Sequence, residues 1–529
     1  MKPRRTAPLL VLLLAATWNP RPSLGAANSL PRRPVARAPG ADADFNGDGI
    51  RDLATGVPGE DLGTIVDAGA LSVIYGSPTG LTSAGNQLLK QGRGGVPETA
   101  EAGDVFGSAV ATGDFDGDGF LDVAVGAPGE DLGAAADAGA VVVLYGSTGG
   151  ITSARSQLWT EGDLPGSGGP GDGFGAQLRT GDLNGDLHDD LVIGAPGEDG
   201  GASVDAGAVF VMYGSAGGLT ATGGQRWDED SPGIPDVAEA GDGFGSALAA
   251  GQSFDLAGYD DLAVGVPRKA VGGSEDAGAV IVLFGGAGGI TSTASQEWSE
   301  ASGGVIGEPE AGDGFGSALT ASGFDGSGGN DLAIAAPGED VGGIVDAGEI
   351  HLLFGGTAGL SSDGNEVWNQ DTPGVAGVGE PGDRFGESLR SQDLNGDGIA
   401  EVIVGAPAED VGSWVDAGAV FVLYGSPGGP TATGSQVWTQ QTAGVTGEAE
   451  SGDSFGASLR LGDYDGDGFP DLAIGVPGED LGTVPDAGVV SLLFGTSTGL
   501  SSRDQLWSQD SSGIVDRAEA GDAFGSWIA

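Results

Sequence analysis

Five short stretches of this chain gather oxygen-bearing side chains at a spacing that suits a metal ion. Each reads D-x-[DN]-G-D-x-x-x-[DE], and the copies are Asp44/Asn46/Asp48/Asp52, Asp114/Asp116/Asp118/Asp122, Asp182/Asn184/Asp186/Asp190, Asp393/Asn395/Asp397/Glu401 and Asp463/Asp465/Asp467/Asp471. Positions 1, 3, 5 and 9 end in oxygen, and glycine between them lets the backbone curl so that those oxygens converge. The carbonyl at position 7 can add another. Six to eight hard oxygens on a flexible loop are what calcium takes, whereas magnesium wants fewer in a stricter octahedron. About five calcium ions per chain are therefore expected. Two further stretches keep the frame but lose ligands: Ser253, Asp255, Ala257 and Asp261 in one, and Gly323, Asp325, Ser327 and Asp331 in the other. No tight site is expected at either.

The start of this loop has the spacing of an EF-hand, but position 12, which there is a bidentate glutamate, is Thr55 in the first copy and Val125 in the second. A hairpin turn explains one Asp-Gly pair. It does not explain three or four carboxylates crowded together without a cation. At about 1 mM calcium and a Kd of about 10⁻⁴ M, each site would stabilise the fold by about 1.4 kcal/mol, which makes the ion structural first.

The elements that must position these loops repeat seven times. G-D-x-F-G places Phe at 106, 174, 244, 315, 385, 455 and 524, and G-[AV]-P or its variant places Pro at 58, 128, 196, 267, 337, 407 and 477. Within one unit the turn chemistry separates four short apolar runs, expected as strands over 106–111, 122–127, 140–145 and from 156 to 159. Four strands in a unit of about 70 residues, repeated radially, is the layout of a propeller blade. The fold expected is all-β, a seven-bladed propeller of four-stranded antiparallel blades over residues 42–529. The first unit lacks an F-G strand and the last residues supply one, Ala529 falling where Ala111 lies. The C-terminal strand should therefore complete the first blade and close the ring, pairing strands that would otherwise be exposed edges.

Glycine is 107 of 529 residues without a collagen period, there is no cysteine, and the formal net charge is −56. That acidity argues against nucleic acid or an anionic membrane surface as partner. Residues 1–26 read as a signal peptide, with Lys2, Arg4 and Arg5 before an apolar run from Ala7 to Ala16 that is too short to span a bilayer. A linker over 27–41 follows. No later stretch is apolar enough for a membrane helix, so a secreted, extracellular monomer is expected.

F-G, then the acidic loop, then G-A-P, seven times over residues 42–529, resembles the FG-GAP repeats of the integrin α-subunit propeller, in the stand-alone form known from bacteria. The resemblance implies calcium in the acidic loops on one face and a ligand surface on the other. That second face would carry the Pro-[Gly/Ala]-Glu-Asp loops, namely Glu60/Asp61, Glu130/Asp131, Glu198/Asp199, Glu339/Asp340, Glu409/Asp410 and Glu479/Asp480. The fourth unit departs from this with Arg268-Lys269, and Trp414 stands alone in its loop, which makes these the first places to look for a ligand.

Trp159, Trp227, Trp298, Trp368, Trp438 and Trp507 recur at one position and read as packing between blades. His188 sits at position 7 of a loop, where only the backbone matters. His351 reads as half-buried structure on a third strand. No enzymatic activity is expected, because propeller chemistry needs a distinct carboxylate pair or base in one or two blades. An adhesion or ligand-binding module with an extracellular protein or glycan ligand is the leading reading. A glycosidase- or lyase-type propeller and a purely structural matrix protein are the alternatives.

Overall fold

A computed structural model describes residues 43–166 and 168–529; the expected signal peptide, 1–26, and the linker, 27–41, lie outside the described residues. Within the second unit, β-branched and apolar runs bounded by glycine and aspartate form four strands. They are Ala109–Gly113, Asp122–Ala127, Ala140–Tyr145 and Thr152–Trp159, hydrogen-bonded in that order from the axis outward. The pairing is antiparallel, with Val123 opposite Leu144 and Val125 opposite Val142. The two middle strands are buried on both faces, because each sheet is sandwiched between two others. The outer strand is only half-buried and its sequence is correspondingly polar.

Seven such four-stranded sheets make the propeller. Every hydrophobic cluster spans a seam: Leu71 and Val73 of the first blade pack with Val123 and Val142 of the second, and Leu53 and Ile74 pack with Val490 and Leu492 of the seventh. Both repeat signatures serve these seams. A side chain added at Gly126 of G-A-P would come within 2.1 Å of the carbonyl oxygen of Gly175, the F-G glycine of the next blade. Only glycine permits that backbone approach. The tryptophans pack against the same clusters, Trp159 against the seam of blades two and three and Trp507 against that of blades seven and one.

Closure runs as the sequence implies. Thr55 and Gly56 pair with Ile528 and Trp527, and Ala54 and Ala529 exchange backbone hydrogen bonds of 3.0 and 2.8 Å. Three strand boundaries differ from expectation, one of them the end of the inner strand, at Gly113 and not Ala111. The inner strand starts at Ala109, not Phe106, because Val105 and Gly107 take positive φ (48° and 101°). Phe106 is instead a fully buried plug whose N–H bonds the Ala68 carbonyl of the neighbouring blade at 3.1 Å. The outer strand starts earlier, at Thr152, because Thr152 pairs with Tyr145 despite its polar sequence.

Candidate metal loops and the opposite face

In an antiparallel blade, successive loops emerge at opposite ends. The acidic loops join first to second strands and so share one face; the Pro-[Gly/Ala]-Glu-Asp loops join second to third strands and occupy the other.

Inside each acidic loop the residue at position 9 does two things. Asp122 Oδ2 accepts the Phe115 N–H at 3.0 Å and its Oδ1 accepts the Gly146 N–H at 3.0 Å, which ties the loop to the end of the third strand. The same pair of bonds recurs at Asp52, Asp190 and Asp471. Glu401 takes the Leu394 N–H at 2.6 Å and the Asn395 amide at 3.1 Å. Position 2, which sequence reasoning passed over, is a buried anchor: Phe45, Phe115, Leu183, Leu394 and Tyr464 are all essentially inaccessible. Burial pushes the position-9 carboxyls up, Asp122, Asp190 and Asp471 to about 8 and Asp52 and Glu401 to about 7. A nearby cation would reverse that preference for the neutral form.

Positions 1, 3 and 9 converge. Oxygens of Asp114, Asp116 and Asp122 lie within 4.8 Å of one another, as do those of Asp463, Asp465 and Asp471. In the other three loops position 3 is Asn46, Asn184 or Asn395, each accepting the N–H two residues on at 2.8 Å. Position 5 is not one of the three converging groups. Asp118 and Asp467 accept the N–H groups of Phe120 and Phe469, at 3.0 and 2.9 Å, and Asp48, Asp186 and Asp397 do likewise. Three oxygen donors on one curled loop fit a hard divalent cation.

The two loops with aspartate at position 3 carry a feature the sequence reading missed. Arg155 and Arg503 reach in from the outer strands and pair with Asp116 and Asp465, and each stacks over an aromatic ring, Tyr145 and Phe494 respectively. The matching residues beside the asparagine loops are Gly85, Gly223 and Gly434. Acid and arginine thus arrive together, so that positions 1, 3, 5 and 9, taken with the paired arginine, carry the same formal charge in all five loops.

Several expectations about the opposite face are corrected. Glu60, Glu130 and Glu198 are buried, turned into the seams and not offered to a ligand. Glu130 accepts the Gln91 amide of the preceding blade at 2.8 Å, and Glu409 and Glu479 take Gln370 and Gln440 in the same way. Asp61, Asp131, Asp199, Asp340, Asp410 and Asp480 each hold the N–H six residues on, at 3.0–3.1 Å, bracing their own turns. Lys269 is also buried, with its ammonium 2.8 Å from Asp236 and 3.3 Å from Glu229, so it is an internal counter-ion; Arg268 stays exposed. Trp414 is exposed, as expected. His351 is fully buried, not half-buried.

What that face does offer is apolar surface. Val66, Val204, Val345, Trp414 and Val415 in its loops, and Val378 between blades, are among the exposed large hydrophobic residues, whereas among the described residues only Leu187 and Leu256 belong to the acidic-loop face. In the axial channel, Arg179, Arg390 and Arg460 occupy one inner-strand position in three blades and line a cavity of about 360 Å³ whose wall includes Asp189 and Asp260, at the acidic-loop end. Burial, together with Arg460, pushes Arg179 down to about 10.

The FG-GAP repeat pattern matches residues 36–74, 106–144, 174–212, 385–423 and 455–493, the five units whose acidic loops are complete. The chain carries FG-GAP repeats. It is homologous to integrin α propellers, being 37% identical over 170 residues to integrin alpha-PS5 of Drosophila melanogaster, across 32% of this chain and 15% of that protein. Integrin alpha-PS2 of the same organism is 32% identical over 233 residues, 43% of this chain and 15% of its own length. Phosphatidylinositol-glycan-specific phospholipase D of Homo sapiens is 36% identical over 172 residues, 32% of this chain and 20% of that one. The FG-GAP chain thus spans about a fifth or less of these relatives. One repeat shared by an integrin subunit and a phospholipase is not itself tied to one activity. No helix among the described residues is long and apolar enough to cross a membrane.

Proposed function

We propose that this FG-GAP propeller is an exported ligand-binding module of the adhesion type, with calcium in its five complete loops acting as structural cement. The observation that carries the reading is the division of labour between the two faces. One end concentrates converging oxygens that suit a hard cation, held by buried carboxylates. The other end turns its loop glutamates toward the seams and presents Trp414 with Val415 beside it, together with exposed valines in the loops of other blades, as apolar contacts for a partner. Export is supported by the charged and apolar pattern of residues 1–26.

The test is a binding screen of the purified protein against glycan and cell-surface protein arrays, repeated with Trp414→Ala plus Val415→Ser. Binding lost in the double variant at unchanged melting temperature supports the reading. A wild-type protein that binds nothing, or binding lost only by changes in the acidic loops, sinks it. Similarity to the phospholipases favours a second reading as a hydrolase component, which turnover of a glycosylated phosphatidylinositol by the isolated chain would establish.

A further inference from the structure

Four of the seven seams share one polar arrangement. Gln91, Gln370, Gln440 and Gln509 donate their amides to Glu130, Glu409, Glu479 and Glu60 of the next blade, at 2.8, 2.5, 2.6 and 2.8 Å. In the other three seams that glutamine is an acid: Glu161, Glu229 or Glu300. The change removes a donor and sets buried carboxylates face to face, which is costly without a cation. Two of the three seams supply one from a side chain. Lys269 replaces the facing glutamate opposite Glu229, and Arg226 lies 3.1 Å from Glu198 beside Glu161.

The seam between the fourth and fifth blades does neither. Glu300 faces Glu339 and Asp313, with oxygens of all three within 4.8 Å of one another. Onto this the fifth blade adds Glu349 and His351, where the second blade has Ala140 and Val142 and the sixth has Ala419 and Phe421. His351 is the one basic side chain ion-paired to these acids among the described residues. Its ring is 1% exposed, with Nε2 3.0 Å from Glu300 Oε1 and 3.2 Å from Glu349 Oε1. Neither contact is aligned as a hydrogen bond: Nε2 and both Glu300 oxygens are buried without one. An imidazole nitrogen and carboxylate oxygens 3.0–3.2 Å apart have the mutual separation of ligands around a common ion. Asn369, 3.2 Å from Glu349, holds that carboxylate in place.

We infer that Glu300, Glu349 and His351, with Asp313 and Glu339 beside them, bind one divalent transition-metal ion of the zinc class. Imidazole in the donor set separates this site from the all-oxygen acidic loops and disfavours calcium. Its place in the ring suggests its purpose. It ties the end of the fourth blade's outer strand to the third strand of the fifth, and these are the two blades whose acidic loops have lost ligands.

Cobalt(II) is the probe. Chelator-stripped full-length protein, reloaded with millimolar calcium, should take up one equivalent of cobalt with visible d–d absorption, and zinc should displace it. In a zinc titration followed by NMR, the His351 imidazole signals should shift while those of His188, the other histidine of the chain, stay. Glu349→Ala with His351→Val installs the residues of the second blade, and should abolish the cobalt spectrum while leaving the calcium count unchanged. Absence of cobalt uptake in calcium, an unmoved His351 signal, or an undiminished spectrum in the double variant overturns the inference. If the variant does not fold, the wild-type titration and the His351 signal decide alone.

Discussion

The acidic loops of the second and fifth blades fold alike and differ in what they can hold. Asp122 and Asp331 both accept two backbone N–H groups, from Phe115 and Gly146 in one and from Phe324 and Gly355 in the other, at 2.8–3.0 Å. Both bury an aromatic residue at position 2. Only the second blade also has Asp114 converging with Asp116; the fifth has Gly323 in place of the first acid. The position-9 carboxylate is thus a structural staple in either case, and the capacity for a cation is a separate layer added at positions 1 and 3. A loop can lose its ion and keep its shape.

The position-9 carboxylate is where substitution should cost most. Asp331→Ala should destabilise the protein by about 2–4 kcal/mol although no ion is expected there, because a buried N–H group, that of Phe324, and the half-buried one of Gly355 lose their acceptor. Denaturant unfolding of the variant with and without chelator checks this. If the loss is negligible, the staple is an illusion and the carboxylate matters only as a ligand.

Calcium itself should separate the complete loops from the degenerate ones. Metal analysis after dialysis should give close to five calcium ions per chain, and chelation should lower the melting temperature by several degrees. Asp463→Ala, which removes a converging ligand, should cost about 1.4 kcal/mol in millimolar calcium and much less in chelator, whereas Asp255→Ala should cost nearly the same in both. Equal calcium dependence for the two variants would mean that complete and degenerate loops do not differ in their capacity for the ion.

A pH series sharpens the contrast from the other face. Burial holds Glu130 and Glu409 up at about 8 and Glu479 at about 7, all above the ordinary value of 4.5. The folded state binds these protons more tightly than the unfolded chain does. Stability from this source is therefore fully present below about pH 4.5 and lost as pH rises through 7 to 8. The chelated protein should melt at falling temperature across that window, and Glu130→Gln should flatten part of the slope.

The smallest effect belongs to the arginines. Arg155→Gly should change stability by no more than about 0.5 kcal/mol, since the side chain is largely exposed. It should nevertheless tighten calcium at the second loop alone by removing a competing cation, which calorimetric titration would resolve.

Much of this was legible in the chain. Seven copies of each signature about 70 residues apart dictate seven units, and the split first unit dictates a ring closed by Ile528, because local patterning and turn chemistry act within a few residues. The aspartates at positions 1, 3 and 9 were legible for the same reason. The tertiary structure decided what each acid faces. Glu130 and Lys269, read as surface charges, are buried because the seam of the neighbouring blade covers them. Arg155 meets Asp116 39 residues away, and Glu300 meets His351 across two blades. Such partners are set by blade-against-blade packing, which no local pattern encodes; the sequence by itself determined the ring and its loops, and only the assembled seams determined where its buried charge would gather.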